Sequence, residues 1–109
     1  MASGRLGTKF LVDTSNTSIY TVPAAKVAVC TISAVNLSAT QVKMVVALTS
    51  NTINSPSNGE IIEYNVPLAS DGGVFERSGI VIGPSMNVVV SAASANSIAV
   101  SVYGFEQDQ

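Results

Sequence analysis

The sequence predicts an all-β fold: an antiparallel β-sandwich, jelly-roll-like, of about eight strands. Three observations predict it. Apolar and polar residues alternate with a period of two along several short runs. β-Branched residues crowd those runs. Clusters of Gly, Pro, Asn, Asp and Ser punctuate the chain between them, and no run reads as a helix.

Taken in order, strands are expected near residues 5–12 and 17–22, on either side of a turn cluster at 13–16. The third strand, residues 26–36, follows the turn at 23–25. One of its faces is Ala28, Cys30, Ile32 and Ala34, and the other is Val27, Val29, Thr31, Ser33 and Val35. Cys30 and Ile32 belong to residue types most often fully buried, so their face is expected in the core. Residues 40–49 form the fourth strand, with Val42, Met44, Val46 and Leu48 on its buried face. After a long turn at 51–59 comes 60–67, where Ile62, Tyr64 and Val66 alternate with Ile61, Glu63 and Asn65. Asp71-Gly72-Gly73 opens the sixth strand, 74–82. Val88, Val90 and Ala92 mark the seventh at 86–93, and Ile98, Val100 and Val102 the eighth at 97–105.

At 109 residues the chain is expected to form one domain, 1–109. Residues 1–8 read as a flexible arm, with Gly4 and Gly7 for freedom and Arg5 and Leu6 to anchor it on a neighbour. Charged residues are only 11% of the chain, against roughly 25% in ordinary soluble domains. A net charge of −2 argues against nucleic acid and against an anionic membrane surface as partners. The uncharged stretch 78–105 is broken by Pro84, Gly83, Asn87 and Asn96, so it is not a membrane span. The first ten residues lack the apolar segment of a secretory signal.

Chemistry is hard to build from these residues. The sequence has no histidine and one cysteine, so no metal site, cofactor or catalytic residue is expected. Cys30 reads as a small buried hydrophobe. Glu60 and Glu63, three apart on a strand, point to opposite faces and do not make a carboxylate pair. The aromatic residues Phe10, Tyr20, Tyr64, Phe75, Tyr103 and Phe105 read as core seeds spread over the strands. Glu76 and Arg77, the only charges between residues 74 and 105, cannot pair with each other because neighbours on a strand face opposite ways.

Function is best approached through the second face of strand 26–36. It is too apolar to be left wet, and a permanent neighbour is the economical cover. Candidate interface residues are Val27, Val29 and Val35, together with Arg5, Leu6, Glu76 and Arg77.

The segments "IYTVPAAKVAVCTISAVN", "VVALTS", "EYNVPL", "GVFERSGIVIGPSMNVVVSA" and "SIAVSVYGFEQ" span residues 19–106. Together they resemble small virion structural proteins of tailed bacteriophages, particularly those infecting cyanobacteria. In that family the turn before the long strand often carries Gly where this chain has Ala25. The resemblance implies a β-sandwich module of the virion, made in the host cytoplasm and placed on the capsid surface. There it would be a decoration (cement) protein that binds the major capsid protein shell as a homo-oligomer, a trimer by first expectation. The alternative is a head-fibre, tail or baseplate component with a structural or adhesive role.

Overall fold

The alternation in residues 26–36 has a direct structural counterpart. A computed structural model of the chain describes residues 3–50 and 56–109. In it Ala28, Cys30, Ile32, Ala34 and Asn36 are buried, while the residues between them are half-covered. Eight strands form: β1 (Ser3–Phe10), β2 (Thr17–Thr21), β3 (Lys26–Asn36), β4 (Val42–Thr49), β5 (Ile61–Leu68), β6 (Val74–Ile82), β7 (Asn87–Ala92) and β8 (Ile98–Asp108). A 3-10 turn, Asn58–Glu60, precedes β5.

The strands make two antiparallel four-stranded sheets, ordered β1-β8-β3-β6 and β2-β7-β4-β5. Successive strands in the chain often sit in opposite sheets, so the chain crosses repeatedly between the two layers of the sandwich. The sheets pack face to face over Ile32, Met44, Val46, Val88, Val90, Ile98, Val100 and Val102, all fully buried. The apolar alternation in β3, β7 and β8 thus supplies the interior directly.

Several local details differ from the sequence reading. From Ser3 onward the expected arm runs as β1, paired with β8 from Ser3↔Phe105 to Phe10↔Ala99; residues 1–2 lie outside the described residues. On β4, Val42, Met44 and Val46 are buried as expected, but full burial then passes to Ala47 and Thr49, leaving Leu48 half-covered. Leu48 nevertheless faces the core and packs against it opposite Val88, and β4 runs against β7 without a register shift from Met44 to Thr49. β7 is covered on both sides, with Val89 as buried as Val88 and Val90. Part of the turn at 51–59 lies outside the described residues, which resume at residue 56.

Two glycines let backbones meet. A side chain on Gly7 would strike the Ile19 carbonyl oxygen and stand 3.3 Å from Tyr20 Cβ, so glycine permits β1 and β2 to close that side of the sandwich. Gly104, at φ +153°, lies over the Val29 carbonyl of the neighbouring β3.

Ala25 sits at φ +63°, in the left-handed region that disfavours a Cβ by about 1–2 kcal/mol. Ala25→Gly should therefore stabilise the protein by about 0.5–1 kcal/mol after glycine's larger unfolded-state entropy is subtracted. A urea midpoint that is unchanged or lower would show that the turn carries no such strain.

Candidate interaction surface

The side of the β1-β8-β3-β6 sheet that faces away from the core is assembled row by row by the strand register. One row crosses all four strands as Phe10, Ala99, Val35 and Val74. A second crosses them as Ser3, Phe105, Val29 and Val81. Between these lie Thr8, Ser101, Ser33 and Glu76, and beside them Arg5, Tyr103 and Thr31. The face is thus two apolar rows separated by small hydroxyl residues, with a charge near each outer strand.

Exposure shows that nothing among the described residues covers the large side chains. Val74 and Val81 are 68% and 66% exposed, and Phe10, Phe105 and Tyr103 are also open to solvent. Five of the eight large exposed hydrophobic residues identified in the described chain gather on this one face. An apolar surface concentrated in that way marks an interaction site more often than scattered apolar residues do.

The residues singled out in sequence divide cleanly. Arg5, Val27, Val29, Val35 and Glu76 all lie on this face. Leu6 sits at the β1 register shift and packs against the core. Arg77 lies opposite Ile32, on the inward register of edge strand β6, and forms an ion pair with Glu63 of β5. That pair ties the two sheets together along their open side, although at this exposure it contributes little to stability. Glu76 and Arg77 therefore take separate partners, as strand geometry requires.

The expectation that the aromatic residues seed the core needs correction. Tyr20 is buried and Phe75 packs partly against the core, but Phe10, Tyr64, Tyr103 and Phe105 are exposed. Small aliphatic residues fill the interior instead. The missed surface residues were signalled by β8 itself: if Ile98, Val100 and Val102 point in, then Tyr103 and Phe105 must point out or occupy a bulge.

Polar chemistry on and near the face is modest. The Tyr103 hydroxyl donates to Glu76 Oε2 at 2.8 Å across β3, and that bond pushes the Tyr103 pKa up. At the far end of β3, Lys26 pairs with Asp108, which holds that carboxyl below its usual range. Within the sandwich, the buried Tyr20 hydroxyl donates to Glu106. Burial first, and then that bond, raise the Tyr20 pKa. Cys30 is 3% exposed, and burial raises its pKa, so the thiol stays protonated at neutral pH. Among the described residues no group of three or more His, Cys, Asp or Glu could hold a metal ion. No helix among them is long and apolar enough to cross a membrane.

No protein-family profile matches the chain, and neither does any curated protein sequence. Solved structures do resemble it. A chain from the acid-stable capsid of Helicobacter pylori bacteriophage KHP30 aligns with a TM-score of 0.53 at 12% identity, covering 99% of this chain and 95% of that one. A chain from the capsid asymmetric unit of cyanophage Pam1 aligns with a TM-score of 0.42 at 12% identity, covering 94% and 85%. The KHP30 likeness is one of fold, over almost the full length of both chains.

Proposed function

We propose that this chain is a structural protein of a phage virion, acting as a decoration (cement) protein on the capsid shell. The observation that carries the proposal is the uncovered apolar outer face of the β1-β8-β3-β6 sheet. Its chemistry suits permanent burial in an assembly rather than capture of a small ligand. The sequence resemblance and the fold shared with a phage capsid chain support the same reading. Mechanistically, such a module would resist outward pressure by burying apolar surface between neighbours, each valine removed from water giving up to about 1.5–3 kcal/mol before association costs. The major capsid protein is the proposed shell partner, through the surface outside this face.

Quantitative mass spectrometry of purified virions tests this. Hundreds of copies per particle are expected, whereas a few to some dozens would assign the protein to the tail and none would reject a virion role. Val29→Glu should fold normally yet reduce the copies per particle about tenfold or more, because the carboxylate would be desolvated only in the assembly. Normal incorporation of that variant would show that the face is ordinary solvent surface. An adhesive head-fibre or tail role is favoured by one feature only, Tyr64, which is 70% exposed beside Asn58 and Ile61 in an open depression. Glycan binding lost on Tyr64→Ala would support that reading instead.

A further inference from the structure

We propose that the outer face of the β1-β8-β3-β6 sheet takes a second copy of this chain, face to face, around a two-fold axis running along the strands between β8 and β3. The inference shares with the proposed function the premise that this face is covered in the working state, but it concerns the isolated protein.

The pattern of charge on the face points to this occupant. Arg5 lies on the outer strand β1 and has no ion-pair partner among the described residues. Glu76 lies on the opposite outer strand β6 and accepts one bond, from the neutral Tyr103 hydroxyl. A two-fold axis along the strands sets β1 of each copy over β6 of the other. Arg5 then meets the partner's Glu76 one row away, about 7 Å along the strand and within reach of an extended arginine. The contact occurs twice, once at each side of the interface.

Side-chain size follows the same operation. Phe10 on β1 comes over Val74 on β6 of the other copy, and Phe105 on β8 over Val29 on β3. Tyr103 on β8 comes over Thr31 on β3. In every case a large side chain meets a small one, so the two surfaces interdigitate rather than collide. A face complementary to itself is what an isologous two-fold contact requires, whereas a three-fold ring needs two different patches.

Size sets the expected strength. Four strands and four rows give a footprint on the order of 500 Å² per copy, below the roughly 800 Å² per partner of a standard stable interface. The pair should therefore be reversible, with dissociation in the micromolar range, and be consolidated in a larger assembly.

Sedimentation equilibrium of the purified protein tests this, with circular dichroism to confirm folding of each variant. A monomer–dimer equilibrium is expected. Arg5→Glu and Glu76→Arg should each weaken it about tenfold or more by placing like charges together, and the double exchange should restore it to within about threefold of the original. A monomer at all concentrations up to the millimolar range, a closed trimer, or a double exchange no better than the single ones would each overturn the proposal. Virion copy number is read separately, so this pairing can fail while the shell role stands.

Discussion

Asn36→Asp is expected to destabilise the protein by about 3–5 kcal/mol at neutral pH, although it changes one atom of a side chain. Asn36 is fully buried at the end of β3, and its amide is completely used. Its nitrogen donates to the Thr40 carbonyl at 2.9 Å and the Leu68 carbonyl at 3.0 Å. Its oxygen accepts from the Ser38 backbone N–H at 2.9 Å and the Ser38 hydroxyl at 2.8 Å. The backbone on either side bonds to Gly72 and Gly73 of the turn before β6. One side chain thus joins the β3–β4 turn, the end of β5 and, through its own backbone, the β5–β6 turn. A carboxylate can still accept from Ser38 but has nothing to give the two carbonyls, which would face a buried negative charge. The folded state would hold that carboxyl protonated above its ordinary pKa of about 3.9, so the penalty should grow as pH rises past that value and shrink below it. Urea unfolding at several pH values measures both effects. A loss under about 1 kcal/mol, flat with pH, would mean that water replaces the amide at this site.

Gly104→Ala is expected to cost about 2–5 kcal/mol. The added methyl would overlap the Val29 carbonyl oxygen and stand 2.8 Å from Cys30 Cα, and neither can swing aside as a flexible side chain could. The φ of +153° adds backbone strain for any residue with a Cβ. Relief would require β3 and β8 to separate where Gly104 pairs with Cys30, at the centre of their sheet. Thermal unfolding should reveal the loss directly. An unchanged melting temperature would show that the β3–β8 ladder yields locally at little expense.

Much of this architecture was legible because the side-chain period of a strand is two. In β3, β7 and β8 the alternation assigns Cys30, Ile32, Val88, Val90, Ile98, Val100 and Val102 to the interior, and all are buried. Where the ladder slips, the period resets and a single sequence carries no sign of it. On β1, Gly7 lies opposite inward-facing Val102 although Arg5, two residues earlier, lies opposite outward-facing Tyr103. Leu6 packs against the core, as its alternation with outward-facing Arg5 already requires.

The candidate surface was half legible. Val27, Val29 and Val35 follow from β3 alone, because a buried Ile32 fixes which face they occupy. Phe10, Val74, Val81, Tyr103 and Phe105 join them only through the register of three other strands, which no local pattern encodes. A prior that aromatic residues belong inside then pulled several of them to the wrong side. Aliphatic side chains, with Met44, Cys30 and Tyr20, already fill the space between the sheets.

The position of β8 governs when this fold can form. The last strand in sequence lies between β1 and β3, pairing with the first strand along one side and with the longest along the other. While the chain is being made, β1 has no partner in its own sheet until residues 98–108 leave the ribosome. Folding must then wait for synthesis and proceed through distant pairings, which places it among the slower topologies, on a scale of milliseconds to seconds. During that delay the facing edges of β1 and β3 are open to strands of other chains, and neither β1 nor the outer face of β3 carries a proline to discourage them. Rapid, abundant synthesis would expose many such edges at once, so yield should depend on chain concentration during folding as much as on the stability of the finished sandwich.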